Sequence, residues 1–244
     1  MNTFITFKGT KVYINGRPTY EGSKKIEGLL YNIRTVNATF DDTLGKVDFW
    51  DDDGTHPENN FTGYGKWTSP ISASENTERF IKSLSEYQSY GILAVNLCLQ
   101  GGHPLLSKTW IPEAWISATA NPNGQRDLFH NSAICADGYL NRAYEDRIAS
   151  VIEACDRLGM IVILCVFYFG QDTVFETEDA IRAAVDNTVD FICKRGYTNV
   201  LLEVANEVMD WHFHHDILKP KRITELINRA RQRAQIGRAS CRER

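Results

Sequence analysis

The sequence predicts an α/β fold, the N-terminal half of a (β/α)8 TIM barrel of about four βα units behind a short β-hairpin. Three observations carry this. Apolar, strand-like runs alternate four times with amphipathic runs of helical period, the order that builds βαβ units and a parallel sheet. The first strand is not followed by a GxGxxG turn, the mark of a doubly wound dinucleotide-binding sheet. Two of the connections that follow strands are far longer than the roughly 2–6 residues usual between a strand and its helix, and a barrel places its functional loops after its strands.

The elements follow in order. FITFKG and KVYINGRPTY read as two short strands of an N-terminal hairpin over residues 1–20, packed beside or beneath the main domain. The partial barrel then spans 21–235. Its first strand is GLLYNIR, from Gly28 to Arg34. A helix, ENTERFIKSLSEYQSYG, ends on Gly91, as the left-handed residue after a helix favours. ILAVNLCLQGG is the second strand, and GYLNRAYEDRIASVIEACDRLGM the next helix, with apolar residues at three- and four-residue spacing. IVILCVFYFG is almost wholly apolar, as a parallel strand covered on both faces should be. TEDAIRAAVDNTVDFICKRGY is a helix, NVLLEVANE the fourth strand, and RITELINRARQRAQ the start of another helix. The long connections run from about Thr35 to Ser74 and from about Gly101 to Asp137, and carry Phe49, Trp50, Tyr64, Trp67, Trp110 and Trp115. Flat aromatic faces around a cleft suit sugar rings; the same residues also serve to pin a long loop.

Composition narrows the classes. A hydrophobic content of 43% against 24% charged residues fits a folded globular chain. A net charge of −4 leaves no electrostatic footprint for nucleic acid, and no apolar run approaches the ~20 residues of a membrane span. No basic-then-apolar leader opens the chain, so the expectation is a cytoplasmic protein, or a secreted one if the true N-terminus is missing. The six cysteines show no zinc spacing and read as buried thiols. No cofactor is expected, and oligomeric state is not readable. The last nine residues, IGRASCRER, match a reading frame of a common sequencing adapter. They are read as a non-native tail on residues 236–244, with natural sequence ending near Gln235.

The chemistry concentrates in LLEVANE. Asn206 and Glu207 fall where an apolar strand ends and the polar loop VMDWHFHHD begins. Partial desolvation at such a tip favours the neutral acid that protonates a glycosidic oxygen, and Asn206 beside it suits a sugar hydroxyl. Glu203 shares Glu207's face of the strand, but four residues at ~3.3 Å rise put it ~13 Å away. That is too far for a catalytic pair, so it reads as a carboxylate of the barrel interior, paired with Arg34. Asn32 and Arg34 alternate onto one face of the first strand, as Asn96, Cys98 and Gln100 do on the second. Arg34, Gln100, Tyr168, Gln171, His130, Trp110 and Trp211 are the candidate substrate contacts. His212, His214 and His215 lack a carboxylate at helical spacing, so no metal is expected and a substrate-facing or solvated loop is.

The segments EGLLYNIR, LCLQGG, HNSAICADG, GMIVILCVFYFGQD and EVANE resemble the clan of retaining glycoside hydrolases built on (β/α)8 barrels. This clan includes the family 5 cellulases and mannanases and the β-galactosidases; a less characterised cellulase-like group of glycosidases is also similar, over roughly residues 10–228. The resemblance implies that Glu207 is the acid/base, that a second Glu at the end of strand seven is the nucleophile, and that the nucleophile lies downstream of Gln235. The substrate would be a carbohydrate, and the 244-residue chain alone would be inactive. The chain departs from the family 5 pattern at two strand ends: strand three closes on FYFGQD where a histidine is usual, and the arginine follows strand one rather than strand two. Two other functions fit the residues. One is a carbohydrate-binding barrel without catalysis; the other is a barrel isomerase or lyase using Glu207 as a base. The lack of a phosphate loop, a lysine at a strand end or a metal cluster argues against the last.

Overall fold

The structure, a computed structural model, describes residues 1–41, 72–101 and 131–242. Trp110, His130 and the other aromatics of the two long connections lie outside these residues.

The N-terminal segment forms a three-stranded antiparallel sheet, β1 (Ile5–Lys8), β2 (Lys11–Ile14) and β3 (Arg17–Pro18). The run KVYINGRPTY is therefore two strands and not one. Asn15 and Gly16 lie between them at φ +52° and +80°, the paired left-handed conformations of the tight hairpin turn that Asn-Gly favours. This sheet sits at the N-terminal ends of the main strands. Ile5 N donates to Thr198 O at 3.2 Å. Asp156, near the end of the helix that precedes the third main strand, accepts from the backbone N–H groups of Asn2 and Thr3 at 2.7–3.0 Å.

Four parallel strands make the main sheet: β4 (Asn32–Arg34), β5 (Ala94–Cys98), β6 (Ile161–Phe167) and β7 (Val200–Ala205). Their order in space is their order in sequence, β4-β5-β6-β7. That order decides the architecture, because a doubly wound sheet reverses at its first strand whereas a barrel adds each new strand on the same side. The chain is a partial (β/α)8 barrel.

The helices α1 (Ala73–Ser89), α2 (Arg142–Arg157) and α3 (Glu178–Lys194) form the connections, and α4 (Ile223–Arg242) follows β7. Each of the first three starts on a side-chain cap that satisfies an otherwise orphaned N–H: Ser72 accepts from Glu75 N, Asn141 from Ala143 N and Thr177 from Ala180 N. Acidic residues stand in all three first turns, where the helix dipole favours them. Alternate residues of the strands face these helices. Val95, Leu97, Val162, Leu164 and Val166 pack with Ile148, Ile152, Ile181 and Val185 in one buried cluster. The other alternation, Arg34, Asn96, Cys98, Cys165 and Glu203, lies on the opposite face in register. Along the outer seam, Arg222, Arg229 and Arg233 of the α4 segment grip Glu178, Asp186 and Asp190 of α3 at 2.7–3.0 Å.

Candidate active site

The carboxyl ends of the four strands bring together residues distant in the chain, Arg34 and Asn206 being 172 positions apart. Arg34 ends β4, Gln100 and Gly101 follow β5, Tyr168 follows β6, and Asn206 and Glu207 follow β7. Asn206 N donates to Phe167 O at 2.9 Å, so the β6–β7 ladder extends up to the residue before Glu207.

Arg34 Nη2 donates to Asn206 Oδ1 at 2.6 Å, and its guanidinium stands 5.8 Å from the centre of the Tyr168 ring. Asn206 is only 4% exposed, and its Nδ2 has no hydrogen-bond partner among the described residues. A buried donor of this kind is rare in a folded protein and points to a missing partner. Glu203 accepts from Asn96 Nδ2 at 3.1 Å. The expected Arg34–Glu203 pair is thus replaced, with Arg34 reaching up to Asn206 and the neutral amide of Asn96 serving Glu203.

Burial pushes the Tyr168 phenol up to about 12. Arg34 works against that rise and Glu207 adds to it, so the three groups share one electrostatic neighbourhood. Glu207 itself is exposed, and the desolvation expected at the strand tip is not supplied by the described residues. What distinguishes Glu207 is its backbone. Its φ is +49°, a left-handed conformation that costs a non-glycine residue about 1–2 kcal/mol and that collects at functional positions.

Gln100 and Gln171 occupy the same rim but serve the backbone. Gln100 accepts from Tyr168 N at 3.2 Å and donates to Gln171 O at 3.2 Å; Gln171 Oε1 accepts from Gly101 N at 2.9 Å. They lace the β5 and β6 tips together and hold Tyr168. Gly101, at φ +81°, lies so close to Tyr168 that a Cβ there would stand 2.7 Å from Cγ of the ring. Trp211 is 62% exposed, its ring centre 3.9 Å from that of His212 and edge-on to it.

The histidine-rich loop is not a solvated one throughout. His212 is 4% exposed, and its Nδ1 hydrogen-bonds the Glu207 carbonyl oxygen. Asp172, fully buried, accepts from the backbone N–H of His214 at 2.7 Å and of His215 at 2.9 Å, with His214 Nδ1 at 3.2 Å. Sequence reasoning passed over Asp172 and set His212 aside. FGQD and HFHHD each lie within a strand-to-helix loop, but nothing in either run says that the two loops meet. Among the described residues no group of three or more His, Cys, Asp or Glu is placed to hold a metal ion, and no helix is long and apolar enough to cross a membrane.

No family model and no curated protein matches the chain. Solved structures do. The chain is similar to a β-1,4-D-mannanase from Cryptopygus antarcticus, with 10% identity and a TM-score of 0.49, over 97% of this chain and 59% of that one. It is also similar to Cel5A (EG2) from Hypocrea jecorina, with 12% identity and a TM-score of 0.44, over 86% and 51%. A third is a GH5-4 broad specificity endoglucanase from an uncultured bovine rumen ciliate, with 13% identity and a TM-score of 0.42, over 85% and 46%. The chain spans about half the length of these proteins. The similarity is distant and consistently to (β/α)8 glycosidases.

Proposed function

We propose that the protein hydrolyses O-glycosidic bonds of a carbohydrate with retention, and that Glu207 is its acid/base. The observation that carries this reading is the placement of Glu207. It is an exposed carboxyl at the end of the fourth parallel strand, held in a left-handed backbone beside the buried, arginine-bound Asn206.

In the first step the protonated Glu207 gives its proton to the glycosidic oxygen as the C1–O bond breaks and a carboxylate nucleophile bonds to C1. In the second, ionised Glu207 takes a proton from water, whose oxygen displaces the nucleophile from C1. The nucleophile has to stand ~5–5.5 Å from Glu207. Glu203, ~13 Å down the same strand, does not meet that need, and the proposal assigns the nucleophile to a later strand, beyond Gln235. Asn206 Nδ2 is the donor a sugar hydroxyl would engage, Arg34 fixes the orientation of that amide, and Tyr168 and the exposed face of Trp211 bound the sugar. Gln100 and Gln171 shape the rim. No cofactor enters the scheme.

The test is Glu207→Gln in the full-length protein, assayed on activated aryl glycosides and on polysaccharide. Loss of activity on polysaccharide is expected; wild-type turnover removes Glu207 from the mechanism.

A further inference from the structure

The left-handed backbone of Glu207 needs a cause, because such conformations persist only where the surroundings over-determine them. His212 supplies one. Its Nδ1 hydrogen-bonds the Glu207 carbonyl oxygen. A carbonyl only accepts, so Nδ1 carries the proton and donates it. The ring cannot turn away. It is 4% exposed and sits between Phe169, with ring centres 4.7 Å apart, and Trp211, at 3.9 Å. Its backbone is held as well, with His212 N donating to Met209 O at 3.1 Å and His212 O accepting from Gly170 N at 3.0 Å. The loop after β7 is thereby folded back under Glu207 and tied to the loop after β6.

We propose that His212 is a positioning residue for Glu207, fixing the peptide that aims its carboxyl. The claim rests on the reading of Glu207 as acid/base for its consequence, though not for its geometry. His212 does not touch the reacting atoms. It acts by holding the Glu207 carbonyl, and so the φ and ψ from which the side chain departs.

Three variants of the full-length protein separate this role from simple packing. His212→Phe keeps a flat ring between Phe169 and Trp211 but has no donor. His212→Asn loses the ring and keeps an N–H near the place of Nδ1. His212→Gln carries its amide further out, away from the Glu207 carbonyl. With aryl glycosides whose leaving group needs protonation, kcat should fall on the order of 10- to 100-fold in the Phe and Gln variants, with KM little changed. His212→Asn should recover to within about tenfold of wild type. A dinitrophenyl leaving group departs without a proton, so kcat/KM for that glycoside, which reports only the steps up to the glycosyl-enzyme, should be far less affected than kcat/KM for the others; a general loss of structure would depress kcat/KM on both substrates alike. Equal losses on both, or recovery by Phe and not by Asn, overturn the proposal.

A crystal structure of the Phe variant gives an independent answer. Without that hydrogen bond, relaxation of Glu207 to negative φ is expected; retention of φ near +50° with the carboxyl in the same place overturns the proposal whatever the kinetics. Should the Phe variant not fold, the Gln variant serves the same comparison. If the wild-type protein has no glycosidase activity, the proposed function fails, and the crystallographic arm still decides what His212 does.

Discussion

Arg34 and Asn206, at the tips of the first and last strands of the four-stranded sheet, are joined by a 2.6 Å hydrogen bond. Laid flat, the two strands would stand about three inter-strand spacings apart, ~14 Å. The bond therefore links the open rim of the partial barrel across its two inner strands, and it is the contact that orients the residue next to Glu207. A hydrogen bond from a charged donor contributes about 1.5–3 kcal/mol when its partner is buried; exposure of Arg34 moves the expectation to the lower end. A double-mutant cycle with Arg34→Ala and Asn206→Ala should return a coupling of about 1–2 kcal/mol in denaturant unfolding. Strictly additive losses would mean that the two side chains do not cooperate.

Tyr168 should be slow to ionise. Burial raises its phenol to about 12 against an ordinary value of 10.0. A group whose folded value is raised stabilises the fold in its protonated form. Its contribution is whole below pH 10 and is lost as the pH climbs from 10 towards 12. Absorbance titration of tyrosinate should show that Tyr168→Phe removes a step near pH 12. Removal of a step near pH 10 instead would place Tyr168 in water.

Gly101 should resist substitution. Its φ of +81° and a Cβ position 2.7 Å from Cγ of Tyr168 add backbone strain to a clash with a ring that cannot yield freely. Gly101→Ala should lower stability by about 1–3 kcal/mol and displace the Tyr168 ring. An alanine variant with unchanged unfolding midpoint and an unchanged late tyrosine step would contradict this.

Asp172 clamps the loop that carries His212 to the loop after β6. Removing its carboxylate leaves the part-buried His214 and His215 N–H groups without their acceptor, and an orphaned donor costs about 1–3 kcal/mol where water does not reach it. Asp172→Ala should destabilise by about 2–4 kcal/mol, and Asp172→Asn, which keeps one oxygen, by less. Hydrogen exchange should speed up at the amides of residues 214 and 215. Unchanged protection there would show that the clamp is not what orders the loop.

Much of the fold could be read from local chemistry. Ser72, Asn141 and Thr177 each stand before an acidic first turn, and Gly91, Gly159 and Gly196 close the same helices in left-handed conformations. The apolar run of β6 announced a strand covered on both faces. The strand β3 was missed because KVYINGRPTY reads as continuous, although its Asn15-Gly16 is a hairpin signal. At the site, Arg34, Asn206 and Glu207 could be placed at strand ends because an apolar run stops there. Their mutual contacts could not, since they depend on the spacing of three strands and on how each tip is turned. Gln100 and Gln171 show the limit from the other side: polar residues at strand tips that spend their hydrogen bonds on neighbouring backbone. His212 illustrates it again, as a histidine in a polar run whose burial depends on Phe169, 43 residues earlier in the numbering.

The role of Glu207 is tested most directly by Glu207→Ala in the full-length protein with azide present. Removing an acid/base leaves a covalent glycosyl-enzyme that forms from a dinitrophenyl glycoside and is then stranded for want of a base. Azide needs no base to attack, so turnover should rise with azide concentration and yield a glycosyl azide of the substrate's own anomeric configuration. A variant as active as wild type without azide, or one that azide neither accelerates nor converts to a glycosyl azide, would contradict the assignment.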